Sequence, residues 1–125
     1  MEELLARVTQ ATGLDAETAT SAIGIILNFL RKEGPPAEVD QLLASMPGAE
    51  SAMGAGAGQG GGLMDMVGGM GGGVMALGGQ LMSAGVSMGQ MQPLGRELFA
   101  FGRERAGEDV MGAIVGSIPG LSQFV

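Results

Sequence analysis

Apolar residues recur at helical spacing in three runs over the first 48 residues, and glycine and proline separate the runs. The first run stops at Gly13, a residue suited to a left-handed helix cap. The second run, from Thr18 to Leu30, contains no charged residue, which predicts a helix buried on nearly all sides. Pro36 can open a third helix, whose apolar stripe stops before Pro47. The pattern therefore predicts a three-helix unit over residues 1–48.

The second half of the chain repeats this layout. A shift of 72 residues lays Gly13 on Gly85, Asp15 on Ser87, and the sequence SMPG at 45–48 on SIPG at 117–120. Asp15 and Ser87 then both stand at an N-cap, where a side-chain oxygen can accept hydrogen bonds from the first helical turn. We predict an all-α fold, a small helical bundle of two tandem three-helix units.

Two features of the second long helix follow from this alignment. Ser87 and Gln90 have the spacing of a capping box, and Pro93 lies inside the helix, where a missing N–H predicts a kink or a restart. We expect the two units to pack with approximate two-fold symmetry. The residues predicted at that contact are Ile23, Ile26, Leu30, Leu94, Leu98 and Phe101.

The middle of the chain is rich in glycine. Residues 49–62 have no apolar periodicity and are predicted to form a linker, which places the second unit at residues 63–125. Apolar residues then recur at alternating spacings of four and three, as on one face of a helix. The members of this stripe are Leu63, Val67, Met70, Val74, Leu77 and Leu81.

Three alternatives remain open for residues 63–84: a packed helix, a disordered tether and a membrane-inserted segment. Glycine costs a helix about 1 kcal/mol relative to alanine, whereas burial of each stripe side chain contributes roughly 1.5–3 kcal/mol, so the helix requires a packing partner. The membrane alternative draws on the uncharged run at residues 66–95. Ten of those residues are glycine, so insertion would be marginal.

The composition argues against most kinds of catalytic and binding site. The chain has no histidine or cysteine, one lysine and a net charge of −7, which disfavours nucleic acid as a partner. Paired carboxylates fall in predicted first helical turns, where the helix dipole explains them, and the stretch from Arg96 to Arg105 is interpreted as a solvated helix face. We therefore predict a protein that is not an enzyme, with no catalytic residue and no cofactor site.

Methionine is the one unusual metal-ligand type in the sequence. Eight of the eleven methionines lie between Met53 and Met91, and thioethers bind soft ions such as Cu(I). Methionine also fills irregular gaps in a core and forms adaptable apolar grooves. We adopt the packing interpretation and predict no metal site.

The layout resembles that of a known family. Gly13 to Asp15, a long apolar helix, SMPG at 45–48, a glycine-rich apolar middle and PLGRELFAFGRERAGEDVMGAIVG at 93–116 are similar to the VcgC/VcgE-type family of small bacterial proteins of unknown function. The resemblance covers most of residues 12–120. It implies a small helical protein without an assigned activity, so no functional residue is carried over.

These observations favour a non-catalytic interaction or assembly protein that self-associates or binds another protein. The stripe from Leu63 to Leu81 is its candidate interaction surface. The alternative is a lipid- or hydrophobic-ligand-binding, membrane-associating protein that uses the same Met/Gly-rich helix. The N-terminal sequence MEELLARV is acidic and amphipathic, unlike the basic and then apolar start of a secretory signal, so we expect a cytoplasmic location.

Overall fold

The computed structural model describes residues 2–52 and 74–118, and within these two ranges it contains helices and turns but no strand. The all-α prediction is confirmed. Residues 49–52 are also helical. The six principal helices are α1 (Glu2–Thr12), α2 (Ala16–Glu33), α3 (Pro36–Ala44), α4 (Val74–Ala84), α5 (Met88–Ala106) and α6 (Glu108–Ser117).

The helices begin and end where local sequence signals predict. Gly13 has a φ of +79°, and its N–H donates to the Thr9 carbonyl at 2.8 Å, closing the end of α1. Gly85 has a φ of +107° at the corresponding end of α4. Asp15 and Ser87 have nearly the same extended N-cap backbone, with φ of −74° and −79°. The carboxylate of Asp15 makes no capping hydrogen bond, so only the position of this predicted cap is confirmed.

The positions of the helices recur along the chain at a fixed spacing. α4, α5 and α6 begin 72 residues after α1, α2 and α3, at residues 74, 88 and 108 against 2, 16 and 36. The burial of α2 and α5 follows the same spacing, since Ile26 and Leu98 are both buried, as are Phe29 and Phe101. The long helices of the two halves therefore present equivalent faces to the core.

The helices pair mainly across the two halves of the chain. α1 packs most extensively against α5, α2 packs against α4, and α3 packs against α6. All six residues predicted at the two-fold contact are buried in one apolar core. Each long helix therefore packs closely on the short first helix of the opposite half.

Pro93 does not restart the second long helix. α5 runs from Met88 to Ala106 through this proline. Proline offers no N–H to the carbonyl four residues earlier, on Gly89, but Gly89 is exposed, where water can replace the missing donor. A loss that would be costly in the core is thus tolerated at the surface.

Candidate functional site

The structure divides the predicted interaction stripe. Leu63, Val67 and Met70 lie outside the described residues, and so does the side chain of Val74, whose backbone begins α4. Leu77 and Leu81 are each 1% exposed and belong to the apolar core. Leu77 and Leu81 are therefore used within the chain and are not available as a free surface, because the most apolar side of α4 packs towards α2.

The outer side of α4 exposes different residues. Met82 is 57% exposed and Met88, just beyond the Gly85 turn, is 75% exposed, and these two are the exposed large apolar side chains of the described residues. Gly79 and Ser83 are also exposed on α4. We call Gly79, Met82, Ser83, Met88 and Gly89 the Met82/Met88 face. It belongs to the sequence between residues 66 and 95 that carries no charge.

The glycines at and beside this face have open space around them. A Cβ atom added at Gly78, Gly79 or Gly89 would meet no other atom within 4 Å. These glycines therefore do not serve close packing inside the chain.

A second feature lies between α1 and α5, where charged side chains line the surface. The Arg7 Nε donates to a Glu97 carboxylate oxygen at 3.2 Å, and its Nη1 donates to Glu104 at 2.6 Å. Arg105 Nη2 donates to a Glu3 carboxylate oxygen at 2.7 Å. We call these five residues the polar seam. Because Glu97 and Glu104 are seven residues apart, they lie two turns apart on one face of α5, and Arg7 reaches both.

An aromatic ring underlies the polar seam. Phe101 is 2% exposed, and its ring centroid lies 5.7 Å from the Arg7 guanidinium carbon and 5.0 Å from that of Arg105. These distances are in the range of cation–π attraction. The ring thus orders both guanidinium groups for their carboxylate partners.

The Arg7 guanidinium is stabilised in its charged form. The hydrogen bond to Glu104 is the main cause that raises the pKa of Arg7, with further contributions from the charges of Glu104 and Glu97, while desolvation acts in the opposite direction. Arg7 therefore carries its charge throughout the pH range in which proteins are studied.

Gln90 adds a polar contact at the other end of the same helix pair. Its amide oxygen accepts from the Ser87 N–H at 3.0 Å, within the predicted capping box. Its amide nitrogen donates to the Thr12 carbonyl at 3.0 Å. One side chain therefore serves the start of α5 and the end of α1 together, because Thr12 offers a carbonyl that α1 leaves unpaired.

Sequence reasoning did not find the polar seam. It interpreted the stretch from Arg96 to Arg105 as a solvated helix face, and Arg96 and Arg103 are indeed exposed. Glu97, Glu104 and Arg105 instead contact α1, at sequence separations of 90, 97 and 102 residues. The spacing of Glu97, Phe101 and Glu104 along one helical face was the available signal, but nothing local identifies α1 as the partner.

The described residues contain no arrangement that points to catalysis. Ser21 is the one buried polar residue among them, and they hold no group of three acidic, histidine or cysteine side chains placed for a metal. A cavity of about 540 Å³ near Arg31, Asp40 and Glu50 has charged walls. A more apolar cavity between Leu5 and Ala52 measures about 260 Å³, below the roughly 300–1,000 Å³ of typical small-molecule sites.

None of the helices in residues 2–52 and 74–118 has both the length and the hydropathy needed to cross a membrane. Comparison with known proteins gives no match: no family model, curated protein or solved structure is similar to the chain. The resemblance to the VcgC/VcgE-type family therefore stays a prediction.

Proposed function

We propose that this protein is a non-catalytic interaction and assembly protein that self-associates through the Met82/Met88 face. The observation that carries the proposal is the exposure of Met82 and Met88, at 57% and 75%. Side chains of this size and exposure present apolar area to water, and burial of that area against a partner is favourable. Methionine is also flexible and polarisable, so it adapts to the shape of an opposing surface.

Charge favours a second copy as the partner. The chain has a net charge of −7, so two copies repel one another wherever their acidic surfaces meet. The Met82/Met88 face carries no charge. Two copies related by a two-fold axis would place the same uncharged patch on both sides, which keeps their acidic residues apart.

The proposal includes two finer expectations from the sequence. The chain consists of two tandem three-helix units joined by a glycine-rich connection, an organisation supported by the 72-residue offset between corresponding helices. The protein acts in the cytoplasm, as expected from the composition of its N-terminal sequence. Expression with a fluorescent tag at either end would test the location.

The test is the molar mass in solution, measured by sedimentation over a range of concentrations. We expect wild type to exceed the single-chain mass of 12.5 kDa as concentration rises. The double variant Met82→Glu/Met88→Glu should remain a single chain, because association would bury two charges. Gln10→Glu/Gln41→Glu adds the same charge at exposed positions outside the face and should associate like wild type. A monomeric wild type, or equal association of the two double variants, contradicts the proposal.

The alternative is a lipid- or hydrophobic-ligand-binding, membrane-associating protein, and the same exposed methionines favour it. Co-sedimentation with vesicles of zwitterionic phosphatidylcholine distinguishes the two functions. These vesicles have no net charge and therefore do not repel the acidic chain. Binding that Met82→Glu/Met88→Glu abolishes, together with a monomeric wild type, would replace self-association with the alternative. An associating wild type that stays in the supernatant supports the assembly function.

A further inference from the structure

The polar seam joins the first half of the chain to the second. Its three ion pairs, Arg7–Glu97, Arg7–Glu104 and Arg105–Glu3, each connect α1 with α5. The bond from Gln90 to the Thr12 carbonyl does the same. The charged contacts found in residues 2–52 and 74–118 thus lie across the pairing of the halves.

The equivalent face of α2 carries different residues. The 72-residue offset between the halves places Ile25 at the position of Glu97, Lys32 at that of Glu104 and Glu33 at that of Arg105. Part of the apolar face is shared, since Ile26 and Leu98 are both buried, as are Phe29 and Phe101, but Gly24 is buried where Arg96 is exposed. α2 therefore offers α1 Lys32 and Glu33 where α5 offers Glu104 and Arg105, which reverses the charge at both positions.

This difference distinguishes two ways of pairing the halves. If α1 lay on α2 of another copy in the way it lies on α5, Arg7 would face Lys32. Glu3 would face Glu33. Like charges in these positions disfavour the pairing, whereas α5 offers Arg7 two carboxylates.

We propose that the polar seam selects the partner of α1–α3: it accepts α4–α6 and rejects a second copy of α1–α3. The accepted α4–α6 can belong to the same chain or to a second copy, so two chains can complete one another's cores by exchanging these halves. The 21 residues numbered 53–73 connect the halves, and a chain of that length can span up to about 70 Å. Exchange of identical elements is a low-cost route to a dimer. This inference goes beyond the proposed function and does not use the Met82/Met88 face.

Two charge-reversed full-length variants test the proposal. The first carries Glu3→Arg and Arg7→Glu, and the second carries Glu97→Arg, Glu104→Arg and Arg105→Glu. Each variant alone places like charges across its own polar seam. In a dimer that exchanges α4–α6 between the two variants, both seams again pair opposite charges. A chain with all five changes restores the pairing within itself.

The expected effect follows from the small free energy that an exposed ion pair contributes. Each such pair changes an equilibrium constant by a factor of roughly 1.4 to 5, so loss of the three attractions should weaken the pairing of the halves about 3- to 100-fold, and repulsion between the reversed charges adds to this loss. The connection between the halves gives each half an effective concentration in the millimolar range for the other half of its own chain. Exchange between chains must compete with this pairing. The two variants are therefore unfolded in urea, mixed at about 0.3 mM each and refolded together before their mass is measured.

We expect the mixture to contain a dimer of one copy of each variant, identified by mass spectrometry under native conditions. Each variant should unfold at lower urea than wild type, and the five-change chain should regain wild-type behaviour. Arg96→Glu/Asp40→Arg, which reverses two exposed charges without an ion pair among the described residues, should resemble wild type. The first variant mixed with wild type should give no such dimer, since exchange leaves one seam mismatched.

Two results would overturn the proposal. Wild-type stability of both variants would show that the polar seam does not select a partner. Failure of the mixture to form the mixed dimer would exclude exchange, and this holds even if each variant alone fails to fold, because matched seams should then rescue both chains. Association through the Met82/Met88 face appears equally in wild type and in each variant alone, so it cannot be mistaken for exchange.

Discussion

Replacement of Gly79 and of Gly102 by alanine should change the free energy of unfolding in opposite directions. Gly79 lies on the exposed side of α4, where an added Cβ atom meets nothing within 4 Å. Gly102 is buried in α5, where the same atom would lie 2.8 Å from the Met111 sulfur and 3.1 Å from Leu42 Cδ1. Replacing each by alanine therefore separates the backbone cost of a helical glycine from its packing role.

The structure sets the expected magnitudes. Alanine is favoured over glycine inside a helix by about 0.8–1.0 kcal/mol, and Gly79→Ala should gain most of this because no contact opposes it. Gly102→Ala has the same helical gain, but crowding in a filled core costs about 1–3 kcal/mol. The flexible end of Met111 can move, whereas Leu42 is 1% exposed in the core. We expect a net loss of about 1 kcal/mol for Gly102→Ala.

Urea unfolding followed by circular dichroism at 222 nm measures both changes, at a protein concentration that keeps the mass of a single chain. Gly112→Ala is the matched control for a helical glycine in open space, since no atom lies within 4 Å of its added Cβ. It should be stabilised like Gly79→Ala. Stabilisation of Gly102→Ala by the same amount, or destabilisation of Gly79→Ala, would refute the packing described here.

Three further substitutions or additions test the core, α4 and the methionines. Ile26→Asp should unfold the protein, because Ile26 is 2% exposed and an unpaired buried charge costs several kcal/mol; a wild-type melting curve would contradict this. Leu77→Ser should speed amide exchange throughout α4 by removing a core contact, whereas the exposed Ser83→Ala should not, and equal rates in the two variants would count against the packed helix. Excess Ag(I) should change the unfolding free energy by less than about 1 kcal/mol, since we predict that the methionines form no metal site; a micromolar dissociation constant by calorimetry would reverse that interpretation.

The candidate surface illustrates what a helical pattern can and cannot predict. The stripe from Leu63 to Leu81 predicted a helix with one apolar side, and α4 is the part of it that lies within the described residues. Periodicity states that an apolar side will be buried, but it does not state whether the chain or a partner will cover it. The chain itself covers Leu77 and Leu81, whereas Met82 is exposed on α4 and Met88 is exposed at the start of α5. Which side stays free is decided only when α2 packs on α4.

The ends of the helices could be predicted because their signals are local. Left-handed Gly13 and Gly85, the N-cap positions of Asp15 and Ser87, and the start of α3 at Pro36 depend on contacts within about one helical turn. The offset of 72 residues between corresponding helices could be found in the sequence for the same reason, since it places these local signals in register.

The pairing of the helices is a property of the tertiary structure. α2 and α5 are both buried and apolar, so periodicity is equally compatible with α1 on either one. The packed structure places α1 on α5 and forms the ion pairs of Arg7 there. Separations of 90 or more residues lie beyond any local signal, and a charged residue on a helix face is by itself equally consistent with solvent. The sequence by itself therefore determined where the six principal helices begin and end, whereas tertiary packing decided which helices meet and which surfaces remain for a partner.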